Sequence, residues 1–401
     1  MTGRLIDLAK KGAAVFSALV MLEILIMISP FALYWYSLYS PTLQAIHHWP
    51  ATAWLGTFVL PHSVITTSAV LESLRWGIGP YLFSLGLWGF LLLATQVYIA
   101  KFRKRGIVTT GVYRYVRHPQ YVCLSIAGLG LLIYWPRMII VLFFLVMVTA
   151  YYFLARSEEQ RLVRQYPEYA EYARRTAMFI PGNPGGRLFE WLFGWVPNEA
   201  LARGLTVVTV AGLGLALSLA FRAYTIASAE TIGMPEANLL GISGWPHGQD
   251  HLKRLITLAL HEKAVREDLA AEGAGSYTAH LLPLDYGMMN MFTDLKGDRQ
   301  MWSGKRVRLF ALIVLEFLFP FTVSDVKAKI MGSPTESYRL VFSRVDGPGG
   351  TRLPLSQVTD TQAQMTAIAV VDLEGPGPQI TKVILNPPRQ SFWGDIPMPM
   401  F

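Results

Sequence analysis

Long apolar runs, separated by short polar or basic stretches, dominate the N-terminal part of the chain. Three of these runs occupy residues 13–39, 79–100 and 205–226. Each is long enough, at about 1.5 Å per helical residue, to cross the roughly 30 Å hydrocarbon core of a bilayer. Lys10 and Lys11 precede the first run, and a basic cluster around Arg103 follows the second. Because positive residues favour the cytoplasmic side, the pattern predicts three transmembrane helices and a cytoplasmic N-terminus.

A fourth apolar stretch, residues 119–156, is interrupted once, by a Trp-Pro-Arg sequence at 135–137. Proline ends a helix because it lacks an N–H donor and clashes with the preceding turn. The stretch therefore predicts a helical hairpin whose two ends return to the cytoplasmic side. Gly128 and Gly130 give its first arm a small face, which lets another helix approach closely. With this hairpin, the sequence predicts about five transmembrane helices.

The remaining residues predict other kinds of structure. Residues 186–196 carry two tryptophans and favour an interfacial helix, and residues 250–271 predict a soluble helix. Residues 307–323 predict a membrane-dipping or buried helix, and strands are predicted at 339–345, 366–374 and 381–385. The fold class expected is an all-α polytopic membrane core with a C-terminal mixed α+β extension. The predicted domains are an N-terminal helix and loop (1–77), a membrane core (78–198), an additional transmembrane helix (199–226) and the extension (227–401).

Composition supports a membrane setting. Hydrophobic residues make up 52% of the 401 residues and charged residues only 15%, against about 25% charged in soluble domains. The basic excess behind the net charge of +8 flanks apolar runs, so we expect no nucleic-acid partner. The first run exceeds the roughly 7–15 apolar residues of a signal peptide and predicts a retained helix. We expect an integral protein of a bacterial inner membrane or its equivalent.

Candidate chemistry concentrates at the entrance of the hairpin, in the sequence VTTGVYRYVRHPQY at 108–121. Arg117 and His118 directly precede Pro119, which is favoured in the first turn of a helix. A helix N-terminus has unpaired backbone N–H groups and partial positive charge. This geometry attracts an anionic group such as the carboxylate of an amino-acid-like cofactor.

The exit of the hairpin carries two adjacent acids, Glu158 and Glu159. Because both arms end on the same side, we expect these acids to lie near His118. Carboxylates can hold ribose hydroxyls or an α-amino group. Tyr113 and Tyr121 offer π-faces suited to a sulfonium or an adenine. The only cysteine, Cys123, allows neither an intrachain disulfide nor a thiolate metal cage.

These residues resemble the isoprenylcysteine carboxyl methyltransferase and phospholipid methyltransferase superfamily. Its members share the signature G-x-Y-x-x-x-R-H-P-x-Y, a helical hairpin, a Glu-Glu pair and an E-Y-x-x-Y stretch. Here the signature is residues 111–121, the acids are Glu158 and Glu159, and the last stretch is residues 168–172. The resemblance covers residues 78–181. It implies S-adenosylmethionine as cofactor, in a pocket open to the cytosol, and a lipid substrate that enters from the bilayer.

Carried over residue by residue, the resemblance implies a set of sites. The cofactor would contact Ile107, Val108, Tyr113, His118, Pro119, Gln120, Tyr121 and Glu158. The predicted catalytic residues are Arg117, His118 and Glu158, the predicted substrate-binding residues are Arg156 and Glu159, and no metal is expected. The isoprenylcysteine enzymes place a substrate-binding arginine where this chain has Leu154, so Arg156 is the nearest arginine. This departure argues against a carboxylate substrate.

The sequence leaves several alternatives open. The acceptor is an oxygen or a nitrogen. The fold is alternatively a non-catalytic accessory subunit of a membrane complex, with a protein partner on the C-terminal extension. A third hypothesis is a metal site at His247 and His251, for which no third ligand is evident.

Overall fold

The structure is a computed structural model that describes residues 22, 25, 27, 29, 40–61, 66, 68–103, 106–284, 311, 315, 318–320 and 336–387, with 40 and 41 described by their backbone alone. By its internal contacts the chain divides into two compact units. Unit 1 comprises Met1–Tyr36, Gly89–Ser125 and Phe143–Val208, and unit 2 comprises Ser37–Trp88, Ile126–Leu142 and Thr209–Phe401. Long apolar helices run through both units, so these divisions are not separate domains along the sequence. The predicted domain boundaries stay a prediction.

Helices account for most of the described residues before position 229. In chain order the helices are α1 Ser40–His48, α2 Pro50–Ala53, α3 Ala69–Phe102, α4 Pro119–Tyr134, α5 Met138–Gln165, α6 Tyr169–Arg175, α7 Pro184–Phe193, α8 Glu199–Ser228, α9 Gln249–His261 and α10 Lys263–Ala271. Among the described residues, α3, α5 and α8 are the three helices long and apolar enough to cross a membrane, and α4 is a shorter apolar helix. A helical core with three candidate spans is therefore confirmed.

The predicted count of five transmembrane helices is not confirmed. The predicted first span, residues 13–39, and the predicted membrane-dipping helix, residues 307–323, lie almost entirely outside the described residues. Residues 79–100 and 205–226 do form the apolar helices expected of them, and α4 and α5 form the two arms of the hairpin. Its turn is at residues 135–137, where Pro136 interrupts the helical hydrogen bonds.

The small face of α4 packs closely on α3 within unit 2. A methyl group placed on Gly130 would lie 2.4 Å from the backbone nitrogen of Phe83 and 2.8 Å from the carbonyl oxygen of Gly79. Only glycine fits at this distance, because the neighbouring atoms belong to a helix backbone that cannot move aside. The predicted close approach of another helix to Gly130 is confirmed.

The C-terminal part of unit 2 is built on a mixed six-stranded sheet with the order β1-β2-β3-β4-β5-β6. Its strands are β1 Glu230–Met234, β2 Leu239–Ser243, β3 Ser276–Pro283, β4 Tyr338–Asp346, β5 Gln364–Glu374 and β6 Gln379–Leu385. Neighbouring strands are antiparallel except β2 and β3, which are parallel. The three strands predicted from sequence correspond to β4, β5 and β6, whereas β1, β2 and β3 escaped prediction.

Helix α9 covers one face of this sheet. Its apolar residues Leu252, Leu255 and Ile256 are fully buried and pack with Ala279 of β3. Residues 250–271 were predicted as one helix, but the chain breaks at Glu262, whose backbone is extended (φ −66°, ψ 122°). The break redirects α10, so that its Val265 also joins this hydrophobic core.

Candidate functional site

The segment before α4 is fixed by backbone hydrogen bonds to the segment after α6, all within unit 1. The Arg117 N–H donates to the Ala177 carbonyl at 2.9 Å, and the His118 N–H donates to the Met178 carbonyl at 3.1 Å. The Ala177 N–H donates in return to the Tyr115 carbonyl at 3.1 Å. This short parallel pairing holds the side chains of Arg117 and His118 in place at the start of α4.

Two nitrogens of the Arg117 guanidinium, Nε and Nη1, donate to protein groups. Its Nε donates to Glu159 Oε1 at 2.6 Å, and Nη1 donates to the carbonyl of Ala173 at 2.6 Å and to the carbonyl of Thr176. Only 11% of the side chain is exposed. Arg117 therefore ties the end of α6 to the acid on α5. The sequence pointed to no role for the carbonyl groups at 173 and 176, because backbone acceptors leave no residue signature.

His118 lies between the two predicted acids. Its Nε2 is 3.2 Å from Glu159 Oε1, and its Nδ1 is 3.5 Å from Glu158 Oε2. Burial lowers the pKa of this imidazole, but the hydrogen bonds and charges of Glu158 and Glu159 outweigh burial and raise the pKa above its ordinary value. A protonated imidazole has a donor on each ring nitrogen, which matches one carboxylate on each side. The structure thus brings together the residues that the hairpin was predicted to juxtapose.

Tyr121 completes this cluster. Its hydroxyl donates to Glu158 Oε1 at 2.6 Å, and its ring stacks on Tyr151 of α5 with centroids 4.9 Å apart. The His118 ring also lies 5.8 Å from the Tyr121 ring and 6.1 Å from Phe179. Aromatic rings therefore surround the charged groups on the protein side. Tyr151 and Phe179 were not among the predicted site residues, since neither belongs to the signature.

Tyr113 is buried beside the cluster and is bonded to the protein at both its hydroxyl and its backbone. Its hydroxyl donates to the Leu93 carbonyl of α3 at 3.2 Å, and its own carbonyl accepts from the Tyr172 hydroxyl at 2.5 Å. Burial raises the pKa of the Tyr113 hydroxyl, which stays protonated at neutral pH. The signature tyrosine and the tyrosine of the E-Y-x-x-Y stretch are thus joined by a hydrogen bond.

The other predicted site residues lie around the start of α4 or along α5. Pro119 is buried, while Ile107, Val108 and Gln120 are half-buried, and no hydrogen bond of the described residues joins their side chains to His118. Arg156 and Glu159, predicted to bind substrate, line one cleft of about 470 Å³ along α5. Its lining residues are Tyr152, Arg156, Glu159, Gln160, Val163, Arg164 and Met178. His118 and Glu158 are not among them, so the cleft adjoins the cluster through Glu159.

The histidine pair of the extension is also close in space. The rings of His247 and His251 have centroids 5.7 Å apart, and both contact the ring of Tyr338. Within the part of the chain that the structure describes, no group of three or more His, Cys, Asp or Glu side chains is arranged to hold a metal ion. The described residues therefore offer the two histidines no third metal ligand.

The fold and this cluster define a membrane protein whose hairpin carries a charged site at its open end. Residues 79–169, which include the hairpin and the two acids, match the family model for phospholipid methyltransferases. The chain belongs to this family of membrane methyltransferases. The family match and the three apolar helices together make it a membrane protein.

Two curated relatives match about a third of the chain. The cobalt-zinc-cadmium resistance protein CzcN of Cupriavidus metallidurans is 34% identical over 146 residues, which are 32% of this chain and 67% of the relative. The nickel-cobalt-cadmium resistance protein NccN of Alcaligenes xylosoxydans is 32% identical over 139 residues, which are 32% of this chain and 64% of the relative. The chain thus spans about two thirds of the length of each. No solved structure matches the chain.

Proposed function

We propose that the chain is an S-adenosylmethionine-dependent methyltransferase that modifies a lipid or lipid-linked acceptor. The observation that carries this proposal is the cluster at the open end of the hairpin, where Glu158 and Glu159 of α5 meet His118. It lies inside the segment that matches phospholipid methyltransferases. The proposal includes a cytoplasmic location for this end of the hairpin and for the N-terminus, in a bacterial inner membrane or its equivalent.

The residues at the cluster fit the proposed cofactor. S-adenosylmethionine offers an amino group, ribose hydroxyls, a carboxylate and an adenine ring. The Glu158 side chain is 36% exposed, and its described contacts are the Tyr121 hydroxyl and the His118 ring. A carboxylate has about four acceptor sites, so Glu158 keeps capacity for an amino or hydroxyl group. The half-buried Gln120 supplies a further donor and acceptor at the start of α4.

When bound, S-adenosylmethionine supplies an electrophilic methyl group on a sulfonium sulfur. The protein must align the acceptor about 3–3.5 Å from that carbon and exclude water. An amine acceptor must also lose a proton. His118 does not suit this task, because both ring nitrogens face carboxylates and its pKa is raised by them. Glu158, the more exposed acid, is therefore the base that we propose for an amine acceptor.

The remaining roles follow from contacts. Nε and Nη1 of Arg117 donate to Glu159 and to the carbonyls of Ala173 and Thr176, so we propose that Arg117 positions Glu159 and the end of α6 rather than touching a reacting atom. Arg156 is 36% exposed and lines the cleft along α5 with Glu159. Because α5 is apolar enough to cross a membrane, a lipid could reach this cleft from the bilayer. We propose that Arg156 and Glu159 contact the polar end of that lipid.

Cofactor binding by the purified full-length protein in detergent tests the site. Calorimetric titration of the wild type with S-adenosylmethionine should give saturable binding. Glu158→Gln keeps the shape of the side chain but removes its charge, and should weaken binding by about tenfold or more. Glu171→Gln is the matched control, since this glutamate is exposed on α6 and pairs only with Arg175 among the described residues. Unchanged binding in both Glu158→Gln and His118→Ala would remove the site assignment.

The relatives favour a second candidate function. Both are named as metal resistance proteins, which motivates an accessory role for this chain in a metal-resistance complex of the membrane. The extension beyond residue 226 lies outside the family match and offers a surface for a partner. The two candidate functions can be distinguished by comparing the metal tolerance of cells that carry the wild type with that of cells that carry Glu158→Gln. Tolerance that survives this substitution, with a partner co-purifying in fixed ratio, would favour the accessory role.

A further inference from the structure

Unit 2 contains a small cavity beside the turn of the hairpin, and two buried arginines line it. Arg137 lies in the turn between α4 and α5, and Arg222 lies near the end of α8. Their exposed fractions are both 5%. The cavity has a volume of about 50 Å³. Since one water needs about 10–15 Å³, this space holds a few waters or one phosphate group.

The guanidinium of Arg137 uses few of its donors. Nη1 donates to the Gly56 carbonyl at 2.7 Å, and the guanidinium carbon lies 4.0 Å from the centre of the Phe58 ring. Nε is buried without a protein partner. An arginine has five N–H donors, so most of those on Arg137 remain for a ligand. Burial lowers the pKa of Arg137 to about 9, which still leaves it charged at neutral pH.

Arg222 supplies a second positive charge to the same cavity. It donates to the carbonyls of Phe58 at 2.9 Å, Thr359 at 2.5 Å and Asp360 at 3.1 Å. Among the residues that the structure describes, neither arginine forms an ion pair with a carboxylate. Asp360 lines the cavity and offsets one of the two charges, which leaves a net charge of about +1 to be compensated.

A third polar group on the cavity wall also lacks a partner. His47 of α1 lines the cavity, and its Nε2 is buried without a protein hydrogen bond. Burial lowers the pKa of His47 and outweighs a backbone hydrogen bond at Gly347 and the charge of Asp346, so its ring is neutral at neutral pH and carries a single N–H. The orphaned Nε–H donor of Arg137 and the net positive charge are the complement of a small oxyanion, and Nε2 of His47 is a further unpartnered polar atom on the same wall.

We propose that this cavity binds a phosphate oxyanion, held by the guanidinium groups of Arg137 and Arg222 and by the ring of His47. A phosphate diester carries one negative charge, which compensates the net positive charge of the cavity. Arg137 lies in the turn between two apolar helices, and Arg222 lies in the last two turns of α8, which is the level of lipid headgroups in a bilayer. The ligand is the phosphate of an anionic phospholipid or a free phosphate ion, and the site is distinct from the His118 cluster in unit 1.

Thermal unfolding of the full-length protein in detergent tests this site. The probes are inorganic phosphate and short-chain phosphatidylglycerol, each against chloride at the same ionic strength. Stabilisation by both assigns the site to phosphate in general, and stabilisation by the lipid alone assigns it to a headgroup. Arg137→Met should weaken the apparent affinity by about tenfold, because it removes the charge and the unused donors. Arg266→Met is the matched control, as this arginine is exposed on α10.

His47→Leu provides a second variant that leaves both guanidinium groups and their carbonyl contacts in place. It should weaken the affinity by about threefold through the loss of one polar group from the cavity wall. This variant keeps the test decisive if Arg137→Met does not fold. Stabilisation by neither probe, or the same stabilisation in the wild type, Arg137→Met and His47→Leu, would overturn the proposal.

Discussion

At the scale of single residues, the candidate site is a balanced group of charges. Arg117 and protonated His118 carry two positive charges, and Glu158 and Glu159 carry two negative ones, all within 3.5 Å of a partner. Removing one member leaves a partly buried charge without compensation, which destabilises a protein even when the residue has no chemical role. Glu158→Gln removes a charge as alanine does, but it keeps the size and the hydrogen-bonding capacity of the side chain, so it disturbs the packing less.

The protonation of His118 should make the stability of the protein depend on pH. Its pKa is higher in the folded state than the ordinary value of about 6.5, because hydrogen bonds and charges of Glu158 and Glu159 outweigh burial. The stabilisation is thus fully present below about pH 6.5 and is lost as the pH rises through the folded pKa. The melting temperature of the wild type should exceed that of His118→Asn at pH 6, and this difference should shrink as the pH increases to 9. A difference that stays constant or grows would contradict this.

The sequence predicted the meeting of His118 with the two acids but not the use of Arg117. A hairpin returns its two ends to the same side, so the proximity follows from the order of apolar runs alone. The binding of Arg117 to the carbonyls of Ala173 and Thr176 depends on the backbone pairing of residues 115–118 with 177–178. This pairing involves main-chain groups, which every residue type possesses, and no sequence pattern specifies it.

At the scale of elements, the contact between α3 and α4 depends on Gly130. A methyl group at this position would lie 2.4 Å from the Phe83 backbone nitrogen, so Gly130→Ala must push the helices apart. Overpacking of this kind costs about 1–3 kcal/mol. We expect a lower melting temperature of the full-length protein in detergent.

Gly212→Ala is the matched control for this prediction. Gly212 lies in α8, and a methyl group there would meet no atom within 4 Å. Alanine is favoured over glycine in a helix by about 0.5–1 kcal/mol, so this variant should be as stable as the wild type or slightly more stable. Equal effects of the two substitutions would show that the contact between α3 and α4 is not as close as described.

In the sheet, a buried ion pair links β4 to β5. Arg339 Nε is 2.6 Å from Asp372 Oδ1, Arg339 Nη2 is 2.8 Å from Asp372 Oδ2, and the side chains are 7% and 8% exposed. Arg339→Met leaves the Asp372 carboxylate buried without this partner and should cost about 3–5 kcal/mol of unfolding free energy. Arg175→Met, which breaks the exposed pair with Glu171 on α6, should cost about 0.5 kcal/mol or less. Thermal unfolding of both variants in detergent measures this difference.

Strands β4 to β6 could be predicted from sequence because they are apolar runs between Gly and Pro turns, and they pair with their neighbours in the chain. Strands β1 and β2 have only five residues each. β3 does alternate polar residues (Ser276, Thr278 and His280) with apolar ones, a pattern that escaped prediction, and all of its residues are buried. Its parallel pairing with β2 depends on α9 and α10 between them, and such long-range pairing leaves no local signal.

At the scale of the whole molecule, one chain combines a helical segment that matches the phospholipid methyltransferase family with a sheet that the match does not include. Boundaries between the two compact units fall within apolar helices, at positions 88/89, 125/126, 142/143 and 208/209. The division of the sequence at residues 78, 199 and 227 stays a prediction, and function is best tested on the full chain.

The acceptor should be detectable as a change in the lipids of cells that carry the full-length protein. Transfer of a methyl group adds one CH₂ unit to the acceptor, so mass spectrometry of lipid extracts should reveal species heavier by that unit in cells with the wild type. Glu158→Gln should abolish them, because it weakens cofactor binding and removes the proposed base for an amine. Glu171→Gln, on the exposed face of α6, should leave them unchanged. Identical lipid profiles in cells with and without the wild-type chain would argue against lipid methylation. If the protein from the same cells still binds S-adenosylmethionine, the acceptor is not a lipid.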